Sequence, residues 1–216
     1  RNYMNEVYFH EFLRRAGLVA RRYEFVFIYL NGQLQPLYAV EENDGPELIA
    51  ANGRPPGIQF HLNPEALDDM QPNLPFGWYF APFEAYNQSD IAKDPVMAGE
   101  LERTRGAVDR MRSGAAHPSE VLDAGKWGRF LAIAELMGGH HPTSLNNLRY
   151  YSNPQSGLIE PTGYDNSLIE ALSKTGLAGA SRVLGVHAGD MKDPAPCRKE
   201  EWPRWLENPW LDVLFG

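Results

Sequence analysis

Cysteine is almost missing from this 216-residue chain. Cys197 is the single one, so an intramolecular disulfide and any cysteine-built metal cluster are excluded. Such thrift fits either a reducing compartment or a bacterial exterior where thiols are avoided. No apolar run approaches the roughly 18 residues that a membrane-spanning helix needs. Positive charge is in deficit: 20 Lys and Arg stand against 28 Asp and Glu, a net charge of −8. That balance argues against binding nucleic acid or an acidic membrane surface. Lysine does not occur before Lys93, and between Met137 and Asp165 the only acidic residue is Glu160.

What is present has a readable order. Met4, Val7, Tyr8, Phe12 and Leu13 recur at helical spacing, and Gly17 follows as a stop, which predicts a helix from Tyr3 to Ala16 with Glu6 at the margin of its apolar stripe. Tyr23–Leu30 is aromatic and β-branched, as a strand requires. Asn31-Gly32 is a strong two-residue hairpin signal, because both turn positions favour φ > 0. The return strand runs from Leu34 to Val40 and ends at Glu41-Glu42. From 43 to 90 prolines and glycines crowd the chain, and a long irregular insertion is expected there. Asp94–Arg112 reads as a mostly solvated helix. A second helical stretch from Ser119 to Met137, interrupted near Gly125, carries a core stripe of Trp127, Phe130, Leu131, Ala134 and Met137. Toward the end, Trp202, Trp205 and Trp210 read as core anchors. The Gly-rich run Gly176 to Gly185 follows no strand and lacks a phosphate-loop Lys.

The stretch from Asn146 to Asp165, NNLRYYSNPQSGLIEPTGYD, places Asn147 and Asp165 at the two ends of a hairpin whose turn is Asn153-Pro154-Gln155-Ser156-Gly157. Amide and carboxylate oxygens suit a hard cation such as Mg²⁺. His140-His141 stand a few residues before Asn147. A neutral imidazole can accept a hydroxyl proton, although loop histidines also serve to satisfy backbone groups. A zinc site from these histidines with Glu135 or Asp165 lacks the H-E-x-x-H spacing.

The segments RNYMNEVYFHEFLRRAGLVA, YEFVFIYLNGQLQPLYAVEE, KWGRFLAIAELMGGHHPTSLNNLRYY and GLIEPTGYD together resemble the CotH (spore-coat protein H) family of atypical protein kinases. Asn31-Gly32, Tyr38 and Glu42 fit the family's hairpin, with Pro36 where a Gly is usual. The resemblance implies an α+β, kinase-like fold. Residues 1–42 would form a partial small lobe, an αC-like helix plus a β-hairpin. Residues 43–216 would form a mainly helical lobe with a metal-binding hairpin at 146–165. It implies ATP and Mg²⁺ as cofactors, with Asn147 and Asp165 on the metal. Glu6 would be the acid that pairs with a phosphate-holding Lys, and Glu41 and Glu42 would lie beside the adenine. A helix Glu in an ordinary charge pair and strand-end glutamates in solvent are the plain alternatives. The family's catalytic Asp has no counterpart here, which leaves His141 or His140 as the base. The expected reaction is phosphoryl transfer to a Ser or Thr of a protein. The alternative is an inactive relative that binds coat or surface proteins, at a cell or spore surface as the resemblance suggests. The family's first strands, phosphate-covering loop and Lys have no match, so a longer polypeptide is expected, and these residues alone should bind ATP weakly.

Overall fold

In a computed structural model, residues 4–64, 77–137, 141–166 and 208–215 are described. The architecture is mixed helix and antiparallel sheet. Helix α1 (Met4–Arg15) opens it, followed by a hairpin of two short ladders. Strand β1 (Tyr23–Val26) pairs with β4 (Tyr38–Glu41), and β2 (Tyr29–Leu30) pairs with β3 (Gln33–Leu34). Asn31 and Gly32 hold the turn at φ 52° and 78°, the left-handed pair that the sequence predicts.

The region 43–90 is not simply irregular. It carries α2 (Pro46–Ala51), β5 (Ile58–Leu62), α3 (Gly77–Phe80), β6 (Phe83–Ala85) and α4 (Gln88–Ile91). Strand β5 lies inside a four-stranded sheet ordered β6-β5-β7-β8, where β7 is Arg149–Asn153 and β8 is Leu158–Thr162. Gly57 precedes β5 because no side chain fits: a Cβ there would lie 2.3 Å from the Ser152 carbonyl. The β7–β8 hairpin is the one expected from its turn residues. Its register runs from Arg149 opposite Thr162 to Asn153 opposite Leu158.

Three helices cover this sheet and its flank. Helix α5 (Pro95–Arg112) starts where Asp94 accepts the Val96 and Met97 amides, satisfying two otherwise orphaned donors. The expected Ser119–Met137 helix divides into α6 (Pro118–Val121) and α7 (Ala124–Leu136). Between them, Leu122 bridges to Ile159 and Asp123 caps the new helix through the Lys126 amide. Trp127, Phe130, Leu131 and Ala134 are buried as expected. Trp127 meets Phe130, Tyr150 and Trp210 edge-on or tilted, and its indole N–H donates to the Ile159 carbonyl at 3.1 Å. That bond ties α7 to β8. Trp210 begins the last helix, α8 (Trp210–Phe215), whereas Trp202, Trp205 and the Gly-rich run lie outside the described residues.

Helix α1 presents a different face from the one its apolar spacing suggests. Met4, Tyr8 and Phe12 are exposed, and Phe9, His10 and Leu13 are buried. Phe9 packs edge-on to Phe130 of α7. Turning this face inward carries Glu6, one turn before His10, into the interior as well. The polar residues on the inner face are what misdirects a count of apolar positions.

Candidate functional site

Loop ends bring the sequence's candidates together. After β8, Gly163 passes so close to α1 that a Cβ would lie 2.3 Å from Leu13 Cδ1 and 3.1 Å from His10 Cε1. Glycine is therefore required there by contact. Tyr164 and Asp165 follow, with Asp165 at φ 44°, a left-handed backbone state that Asp adopts more readily than most non-glycine residues. Its carboxylate Oδ2 lies 2.9 Å from His141 Nδ1, in the short 3₁₀ turn His141–Thr143.

Asn147, buried just before β7, reaches the same turn. Its Nδ2 lies 2.9 Å from His141 Nδ1 and 3.2 Å from the His141 carbonyl. One ring nitrogen cannot both donate to Asp165 and accept from Asn147. A carboxylate 2.9 Å away demands an N–H, so Nδ1 carries the proton and the Asn147 amide donates to the carbonyl. This assignment leaves Nε2 as the basic nitrogen of His141. It also leaves the Asn147 carbonyl oxygen as the end suited to a hard cation.

Glu6 closes the group from α1, where the Asn166 backbone N–H bonds to its carboxyl. Burial, then the neighbouring Glu41 and Asp165 carboxylates, push Glu6 up to about 7, against the opposing pull of that N–H and of His141. Its Oε2 is buried without a hydrogen-bond partner. His10 Nε2 lies 3.8 Å from that oxygen and 3.8 Å from Glu41 Oε1. Those contacts resemble ion pairs only by distance. Burial first, then Arg21 and Arg14, drive His10 down to about 3, so it is neutral. Its Nδ1 accepts the Arg21 amide at 3.2 Å, which puts the proton on Nε2, facing the two acids.

Glu41, the last residue of β4, and Glu42, just beyond it, turn different ways. Glu41 turns to the cluster and lies 3.4 Å from Arg21 Nε; burial foremost raises its carboxyl. Glu42 turns the other way. Although burial would raise it, the side-chain and amide bonds from Arg22 hold it below the usual carboxylate range. Of the two, the structure brings Glu41 and not Glu42 to Glu6 and Asp165. His140 lies outside the described residues.

Arg21 is the residue that sequence reading missed. It is 2 % exposed and donates to the Gly163 carbonyl at 2.9 Å, the Glu42 carbonyl at 2.7 Å and Asp44 Oδ2 at 2.7 Å. Its guanidinium stands 4.8 Å from the Tyr164 ring centroid, and Arg149 stands 4.3 Å from the same ring. One buried cation thus joins the strand end that carries Glu41 to the loop that carries Asp165. Nothing local marks it, since a surface Arg after a helix looks the same in sequence.

Among the described residues, no group of three or more His, Cys, Asp or Glu side chains is arranged to hold a metal ion. The zinc alternative, His140-His141 with Glu135 or Asp165, includes His140, which lies outside the described residues. Mg²⁺ asks for less: one or two protein oxygens, with water and phosphates completing its shell. Asp165 and Asn147 fit that donor set. No protein-family model matches the chain, and no curated protein does.

Proposed function

We propose that the chain is the core of a kinase-like phosphotransferase that moves a phosphoryl group from Mg-ATP to a Ser or Thr of a protein. The observation that carries this reading is the meeting of Asn147, His141 and Asp165, residues from both ends of one hairpin, with the inward-turned Glu6 beside them. Asp165 and Asn147 would hold the Mg²⁺, which when bound neutralises phosphate charge and orients the nucleotide. The remaining tasks fall to the chain itself. His141, fixed by Asp165 at Nδ1, presents Nε2 to take the proton of the acceptor hydroxyl. Gly163 lets α1 approach, so that Glu6 faces the same space. Arg21 clamps the Asp165 loop to the strand end that borders the nucleotide.

A second reading has an observation of its own. The only acid between Met137 and Asp165 is Glu160, fully buried and bonded to Arg54, Lys126 and Asn153, so it cannot serve as a base. An inactive relative that serves as an interaction module at a coat or cell surface would show this pattern. The test is transfer from γ-labelled ATP by the full-length polypeptide, with and without Mg²⁺, to itself and to a Ser/Thr-rich acceptor. The phosphotransferase reading expects Mg²⁺-dependent label on Ser or Thr, abolished in Asp165→Asn. In His141→Gln it expects a kcat lower by about 10²–10⁴, the usual share of a general base. Activity that survives His141→Gln removes His141 as the base but keeps the enzyme. No label at all favours the interaction module.

A further inference from the structure

Tyr164 immediately precedes Asp165, and its ring is shared by two arginines from separate parts of the chain. Arg149 stands 4.3 Å from the ring centroid and Arg21 4.8 Å. Both lie within the roughly 6 Å over which a guanidinium is drawn to an aromatic face, and that attraction grows where water is excluded. Here the Arg21 side chain is 2 % exposed and that of Arg149 12 %. The β7–β8 ladder explains why Arg149 arrives there. It opens β7 opposite Thr162, the last residue of β8, and Tyr164 lies two residues beyond.

Each arginine also holds one of the two proposed metal-binding ends. Arg149 donates to the Asn146 carbonyl at 2.7 Å and to the Leu148 carbonyl at 3.3 Å, the residues on either side of Asn147. Arg21 donates to the Gly163 carbonyl at 2.9 Å, two residues before Asp165. The buried Asp44 stands between them, with Oδ2 2.7 Å from Arg21 Nη2 and 3.8 Å from Arg149 Nε. One carboxylate therefore serves two guanidinium groups, and the negative face of the Tyr164 ring adds to what it supplies.

We infer that Tyr164 is a positioning residue of the Mg-nucleotide site: its ring, gripped by Arg149 and Arg21, fixes Asn147 and Asp165 at the spacing one cation requires. The inference rests on the phosphotransferase reading and deepens it. Mg²⁺ demands near-ideal octahedral geometry, so a small shift between two of its ligands weakens the hold on the metal.

Calorimetric titration of the full-length polypeptide with ATP at a series of Mg²⁺ concentrations tests it. The quantity read is the Mg²⁺ concentration that gives half-maximal ATP binding. Tyr164→Leu removes the aromatic face and should raise that concentration about tenfold or more. Tyr164→Phe keeps the face and should restore the wild-type requirement. Arg149→Met breaks the same contact from the other side and should raise the requirement as well. Loss of packing alone would lower the melting temperature of the free protein without changing its Mg²⁺ requirement. A wild-type requirement in Tyr164→Leu, or a raised one in Tyr164→Phe, would overturn the inference while the Mg-nucleotide site stands. Where Tyr164→Leu does not fold, an unchanged requirement in Arg149→Met overturns it equally. No Mg²⁺-dependent ATP binding by the wild type would overturn the phosphotransferase reading, and the inference with it.

Discussion

Glu6 is a carboxyl turned into the protein without a cation beside it, and its removal should make the fold more stable at high pH. Its folded-state value near 7 stands above the ordinary 4.5, chiefly through burial and then through Glu41 and Asp165. Below about pH 4.5 both the folded and unfolded chains hold the proton. Between 4.5 and 7 only the folded chain holds it, so stability falls as pH rises across that window. Above 7 both are ionised, and the folded state carries the full cost. A shift of roughly 2.5 pH units is worth about 3 kcal/mol at 1.36 kcal/mol per unit, an upper value for a side chain that is 14 % exposed. Glu6→Gln keeps the shape of the protonated acid without the charge. In urea unfolding of the 216-residue chain, the variant should match wild type at pH 4.5 and exceed it by up to about 3 kcal/mol at pH 8, with the m value unchanged. His10 works in the opposite sense, losing stability as pH falls from 6.5 toward 3. It is present in both proteins and cancels in the comparison. A variant no more stable than wild type at pH 8 would refute the reasoning, because Glu6 would then already have a compensating partner.

Two further perturbations probe the frame around the site. Glu160, fully buried, accepts from Arg54 at 3.0 Å, Lys126 at 2.6 Å and Asn153 at 2.7 Å. Glu160→Ala should cost about 3–5 kcal/mol in chemical unfolding, since it leaves the partly buried Arg54 without its carboxylate while Lys126 keeps only Asp123; a loss below 1 kcal/mol would show that Arg54 escapes to solvent. Gly163→Ala forces a methyl against Leu13 and should cost about 1–3 kcal/mol. Because the same shift moves the Asp165 loop off α1, nucleotide affinity measured by calorimetry should fall more than tenfold in the full-length polypeptide. Unchanged affinity would separate the α1 contact from the site.

Much of the frame could be read along the chain because its signals are local. Asn31-Gly32 needs only two residues to specify its turn, and Asn153 to Gly157 do the same for the β7–β8 hairpin. Asp94 and the Trp127 stripe announce their helices within a few positions. Strand β5 escaped notice for the opposite reason. Its five residues sit between Pro55-Pro56-Gly57 and Asn63-Pro64, and the partners that make it a strand, β7 and β6, come much later in the chain. That Glu41 and not Glu42 turns toward Glu6 is set by the pairing register of β4 with β1, which no short stretch of sequence announces. Apolar spacing does not find the inner face of α1, because the polar His10 is buried there and Glu6 turns inward beside it, an arrangement that makes sense only once the loop carrying Asp165 packs against them.

The central claim, that Asp165 and Asn147 form a Mg-nucleotide site, is tested most directly by thermal unfolding of the full-length polypeptide titrated with Mg-ATP. Asp165→Asn serves as the comparison. Ligand at about a hundredfold over Kd adds roughly 2.7 kcal/mol to a protein that binds it only when folded. The account predicts a rise in melting temperature that requires Mg²⁺ and disappears in Asp165→Asn. A rise that the variant keeps in full, or none in either protein, would contradict it.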